Sequence, residues 1–164
     1  MQTARSLLAK YRHFHGETAQ AQLLAEACEA LLPTLQTPER RTTYLKVLFC
    51  YEDVLRVLCD RMDESEFAGD LLQTQFRLAH ALCAARKTRD ALIAYDRMTE
   101  TADTREKYIY PPQRLTRADA VQIRADLAEI ARHPFALLSS DKEILSALTT
   151  AFAPQSEQDL PPDE

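Results

Sequence analysis

LQTQFRLAHALCAARKTRDALIAYDRMTETAD, residues 72–103, decides the fold of this chain. Its apolar residues recur at three- and four-residue intervals on both sides of Arg86-Lys87, the pattern of two amphipathic helices joined by a tight turn. Small residues, Ala79 and Ala91 among them, stand where the helices meet and allow close approach. Positive charge at Arg86-Lys87 suits a helix C-terminus. Thr88 is placed to cap the second helix, which ends near Ala102.

Composition extends this reading to the whole chain. The 164 residues include two glycines, Gly16 and Gly69, and no tryptophan. Ala, Leu, Arg, Glu and Gln dominate, the residues that lose least on entering a helix. The expectation is an all-α array of antiparallel helix hairpins with about six to eight helices.

Before the central stretch, Leu7, Leu8 and Tyr11 predict a helix over about Ala4–Phe14, with Gly16 closing it in the left-handed conformation. A second helix follows from about Glu17 to Leu32, with Ala19, Leu23, Ala27, Ala30 and Leu31 on one side. Pro33 and Pro38 bound a short linker. Glu39 to Met62 is the most apolar segment, and its apolar residues wrap more than one face, so it is expected to be contacted from both sides. One long helix and two helices broken near Cys50–Asp53 fit it equally. Asp63 stands three residues ahead of Glu66 as a cap for the helix that ends at Arg86.

After the central stretch, Pro111 and Pro112 forbid helix, and Tyr108, Ile109 and Tyr110 are too apolar for a free linker. The segment Thr104–Leu115 is expected to lie extended on the helical body. Thr116–Asp119 has capping-box spacing and opens a helix to about Arg132. Ser140–Glu143 repeats that spacing and opens a last helix ending before Pro154. The tail at 153–164 is too poor in apolar residues to fold and is expected to be disordered.

Charge limits the partner class. The last twelve residues carry four carboxylates and no base, so of the net −5 they hold −4 and the body about −1. A near-neutral body argues against nucleic acid, whose binding rests on neutralised phosphates. No apolar run approaches the roughly 18 residues that span a bilayer, and the N-terminus lacks the apolar core of a signal peptide. Cys28, Cys50, Cys59 and Cys83 form no Cys-x-x-Cys pair and read as reduced core thiols, as in a cytoplasmic protein. His13 and His15 make a His-x-His pair, but on a helix they point about 200° apart. No glycine-rich phosphate loop or serine-nucleophile motif occurs. No enzymatic activity, cofactor or metal is expected.

An internal repeat carries a family resemblance. Leu8-Ala9, Gly16, Ala21, Cys28 and Pro33 recur 70 residues on as Leu78-Ala79, Arg86, Ala91, Met98 and Asp103. This resembles the tetratricopeptide repeat, a helix–turn–helix unit of about 34 residues. In that family a leucine and a small residue lie mid-way along the first helix, a glycine is common at the turn, and an alanine then an aromatic follow on the second. Leu78, Ala79, Leu82, Ala91 and Tyr95 match. In the earlier unit Ala25 replaces the aromatic, and Arg12 replaces a large ring. The resemblance implies a single repeat domain over 1–152, with units at about 2–35, 36–71 and 72–105 and a divergent helix pair at 116–152.

The resemblance also implies a function. Such arrays bind a peptide or helix of another protein in a groove lined by the first helix of each unit. Carried over by position, the partner-binding residues are Lys10, His13, Gln73, Phe76, Arg77 and His80. Their cations favour acidic or carboxylate-ended segments. In gross layout the chain is also similar to the chaperones of bacterial type III secretion systems, and a regulatory or sensory helical domain is a further alternative. A rival resemblance centres on His80. Leu78–Ala84 looks like the phosphorylatable segment of histidine phosphotransfer domains, yet Cys83 stands where those domains carry a lysine and Ala84 where they carry a glycine. The charge that phosphoryl transfer depends on is missing there.

Overall fold

Thr37 and Pro38 show how local chemistry places the helices. Proline lacks an N–H and has a fixed φ, which suits the first helical position, and Pro38 begins a helix there rather than merely ending a linker. The Thr37 hydroxyl accepts from the N–H of Arg40 at 3.3 Å and caps that helix. The computed structural model describes residues 16–61 and 66–154. The helix expected over Ala4–Phe14, the Asp63 cap, the His-x-His pair and all but the first two residues of the acidic tail lie outside them.

Among the described residues six α-helices follow in order: α1 Glu17–Leu31, α2 Pro38–Arg61, α3 Ala68–Ala84, α4 Thr88–Thr104, α5 Arg117–Ala131 and α6 Ser139–Ala151. No strand occurs among the described residues, so the fold is all-α. None of these helices is long and apolar enough to cross a membrane. α1 packs on α2, α2 on α3 and α3 on α4; α5 lies against both α3 and α4, and α6 against α4 and α5. Ion pairs report the antiparallel order. Arg61 at the end of α2 meets Glu17 at the start of α1 at 2.5 Å, and Arg105 just past α4 meets Asp60 at 3.0 Å.

The segment 38–61 is one unbroken helix with neighbours on both sides. The buried stripe of α1 is Ala21, Leu24, Ala27, Cys28 and Leu31, whereas Ala30 is exposed. Alanines on every face blur the apolar edge of that helix, so the expected side was rotated from the real one. The core runs through all six helices. Its largest fully buried members include Leu24, Leu48, Leu78, Tyr95, Met98 and Ile123.

Two expected termini differ from the structure. Gly16 is extended, at φ −169°, and flanks α1 as its N-cap. Among the described residues the left-handed one is Arg86, at φ 61°. Its N–H bonds the Cys83 carbonyl and the next N–H, of Lys87, reaches back to Leu82 at 2.9 Å, the paired arrangement of a Schellman turn. Arg86 therefore occupies the backbone position that favours glycine. Arg86→Gly is expected to raise the unfolding free energy by about 0.5–1 kcal/mol, since a Cβ is strained there; urea denaturation measures it. Thr88 is the first helical residue of α4 and makes no cap, because Lys87 takes the flanking position.

The later caps are clearer. Thr116 and Asp119 form the expected capping box, with bonds of 3.2 and 2.9 Å. At α6 the pairing is displaced by two residues: Asp141 takes the N–H of Leu138 at 2.8 Å and also the Arg89 guanidinium at 2.8 Å. These contacts, the Leu138 bond foremost, hold the Asp141 carboxyl below the usual range against the opposing effect of burial. Its stabilising contribution is present above the ordinary carboxylate pKa and is lost as pH falls through the lowered value.

Residues 105–116 form a strap over the start of α3. Ile109 and Leu115 are buried while Tyr110 is exposed, so the strap anchors through two of its apolar residues. Gln113 accepts from Gln73 at 2.6 Å through its backbone and donates to Asp70 at 2.6 Å through its side chain. Gly69 permits this approach, since a Cβ there would lie 1.9 Å from the Gln113 Oε1.

One buried carboxylate sits apart from the strap. Glu52 is 1% exposed, with Arg97 at 3.5 Å and Arg56 at 3.7 Å, and neither oxygen has a hydrogen-bond donor among the described residues. Both arginines keep substantial exposure and Arg56 retains its pair with Asp53 at 2.6 Å, although the Arg56 Nε beside Glu52 is itself buried without a hydrogen-bond partner among the described residues. Burying a carboxylate with so little compensation is costly. Glu52→Met is thus expected to raise the melting temperature, with a gain of about 1 kcal/mol.

Candidate functional site

Leu32 and Leu35 belong to the bend between α1 and α2, and together with Pro38, Tyr44, Leu45 and Phe49 of α2 they face the last two turns of α3. The space between is a groove of about 800 Å³. Ala81 and Ala84 of α3 and the adjoining Ala85 form its far wall, and their small side chains keep it open. Leu32 and Phe49 remain 43% and 42% exposed, apolar surface not covered by the described residues. Arg41, Lys46, Arg77 and Lys87 stand around this surface with one carboxylate, Asp90.

Some of these cations are held in place. The Arg41 guanidinium bonds the carbonyls of Leu35 and Gln36 at 3.0 and 3.1 Å, fixing it to the bend. Arg77 lies 3.9 Å from Glu29, a long and exposed pairing that contributes little.

At the α3 edge of the groove stands His80, half-exposed, with its Nδ1 2.8 Å from Asp126 Oδ2. Asp126 comes from α5 and is buried. The hydroxyl of Tyr95, from α4, donates to the same oxygen. Gln122 donates to Oδ1 at 3.1 Å, and the Cys83 thiol lies 3.7 Å from the Asp126 backbone carbonyl. One carboxylate thus ties three helices together. A carboxylate only accepts, so Nδ1 carries the proton, and Nε2 has no hydrogen-bond partner among the described residues.

Charge states follow from these contacts. The bond to Asp126, helped by its charge and opposed by partial burial, raises the His80 pKa above 6.5. The stabilisation this bond supplies is fully present below the ordinary histidine pKa and is lost as pH rises through the raised value. Burial first, then the Asp126 charge, pushes the Cys83 thiol up to about 12. Burial likewise pushes Cys28 up to about 12. All four cysteines are unbridged, and among the described residues no His, Cys, Asp and Glu cluster is arranged to hold a metal.

The residues expected to bind a partner are divided by the structure. Arg77 and His80 line the groove together. Gln73 is engaged with the strap, and Phe76 packs half-buried against the core. Lys10 and His13 lie outside the described residues. Cys83, at the position where a phosphotransfer domain carries lysine, is buried and turned to Asp126, so it brings no charge to His80.

Sequence reasoning passed over the α1–α2 bend, Phe49 and Asp126. For Asp126 there was a signal: Ala120, Ile123, Leu127 and Ile130 make the buried stripe of α5, and an acid at 126 falls on it. No family model, curated protein or solved structure matches this chain.

Proposed function

We propose that the protein is a non-enzymatic interaction module that holds an acidic, amphipathic segment of a partner protein in the groove between α2 and α3. The observation that carries this is the coincidence of uncovered Leu32 and Phe49 with four cations and one carboxylate around a single groove. Exposed apolar patches rimmed by polar groups mark interaction sites, and an amphipathic helix laid into such a groove is a recurrent mode of recognition. A rim of one sign steers and selects a segment of the opposite sign. The α3–α4 hairpin, with Leu78, Ala79, Leu82, Ala91 and Tyr95 at tetratricopeptide-like spacing, supports an adaptor or chaperone of that general kind. A secretion chaperone or a regulatory domain would differ only in the partner.

Synthetic helical peptides with one apolar face and either glutamate or lysine on the other provide the test. The glutamate peptide is expected to bind with salt-sensitive affinity, and Arg77→Glu with Lys87→Glu to weaken it by about tenfold or more. Equal binding of both peptides, or indifference to the charge reversal, overturns the proposal.

A further inference from the structure

We infer that His80 is the proton-sensitive contact of this groove: its Nε2 receives a carboxylate of the bound segment, and the grip tightens as pH falls. This rests on the groove reading above and adds its regulation. The geometry is specific. Asp126 holds Nδ1 at 2.8 Å and is itself held by Tyr95 and Gln122, so the ring is oriented before any segment arrives. The side chain is 48% exposed at the groove wall, and with Nδ1 occupied only the Nε2 edge can meet an occupant.

Protonation reverses the character of that edge. Neutral His80 presents a lone pair at Nε2, which repels a carboxylate. Protonated His80 presents an N–H and a positive charge, and the bond becomes a charge-assisted one. Asp126, already at Nδ1, stabilises the imidazolium from behind.

The charged and titratable groups around His80 come from every packed element. They are Arg77 and Cys83 of α3, Lys87 of the turn, Asp90 and Tyr95 of α4, Asp126 and Glu129 of α5, and Arg41, Tyr44 and Lys46 across the groove. Burial pushes Tyr44 up to about 12 and moves Tyr95 upward also. Histidine is the side chain whose ordinary pKa lies near neutral pH, and His80 is the histidine among the described residues that lines the groove, so a change in groove binding in that interval falls on His80.

Binding of a rhodamine-labelled glutamate peptide, followed by anisotropy from pH 6.0 to 8.5 at constant ionic strength, tests the inference on the full chain. The expected affinity is about tenfold higher at the acid end, with a midpoint above the ordinary histidine value. His80→Gln should flatten the profile while the salt dependence set by Arg77 and Lys87 persists. Asp126→Asn should shift the midpoint downward, and the imidazole Cε1–H resonance of His80 should titrate lower in the same variant. A His80→Gln profile as steep as the original overturns the inference, as does a flat original profile with salt-sensitive binding intact; in both cases the groove reading survives. Absence of binding to the glutamate peptide at every pH overturns both.

Discussion

Asp126→Ala is expected to lower the unfolding free energy by about 2–4 kcal/mol, most of it from the buried Tyr95 hydroxyl left without an acceptor. Tyr95 is 0% exposed, so water cannot replace the carboxylate without opening the contact between α4 and α5. His80 loses its partner too, but at 48% exposure it is rescued by solvent and adds less. A second substitution separates these effects. In Asp126→Leu with Tyr95→Phe the orphaned hydroxyl is gone and the desolvated carboxylate is replaced by apolar volume. That pair is expected to recover most of the loss, because buried polar groups replaced together can be neutral. Urea denaturation of Asp126→Leu, Tyr95→Phe and the double variant gives the coupling directly. If the effects simply add, Asp126 is not the hub that the geometry describes.

Ala79→Leu should cost about 3 kcal/mol for the opposite reason, excess volume. Ala79 is fully buried on α3, the helix that packs along most of α4 across a turn only three residues long. A tight turn leaves the two helices little freedom to separate, so added methylenes must be met by off-rotamer side chains or a shifted α4. For a domain of this size the loss corresponds to a fall in melting temperature of roughly 6–12 °C. Ala84→Leu is the matched control. Ala84 is exposed in the groove wall, so the same change there should leave stability nearly untouched while filling part of the groove. A variant pair with equal stabilities would show that the α3–α4 contact is not closely packed.

The groove and the Asp126 hub are linked through α3. The hub fixes the end of α3 against α4 and α5, and the opposite side of the same turns forms the groove wall. Under the proposed function, a segment in the groove would meet a wall already braced by the Asp126 contacts, which limits the ordering cost of binding. The exposed apolar side chains of the α1–α2 bend complete the groove from a connection only six residues long, Leu32–Thr37.

What the residues determined alone is local. The three-and-four spacing of Leu78, Leu82, Ala91 and Tyr95 specified a helical hairpin, and the Thr116–Asp119 box placed the start of α5 to the residue. Such features depend on neighbours within one turn, so they are readable without knowing the fold. Gly16 and Arg86 mark the limit even there, since the α3–α4 turn holds an arginine in the left-handed conformation while the glycine ahead of α1 is extended.

The tertiary structure decided which face of each helix is used. Gln73, Phe76, Arg77 and His80 share one face of α3, yet the strap covers its beginning and leaves only its end open. Asp126 finds His80 46 residues away, a pairing set by how α5 is rotated about its axis when its apolar stripe meets α3 and α4. Helix rotation and loop coverage depend on the sum of many distant contacts. The central stretch specified the hairpin, and the packing of its neighbours selected the part of it that faces a groove.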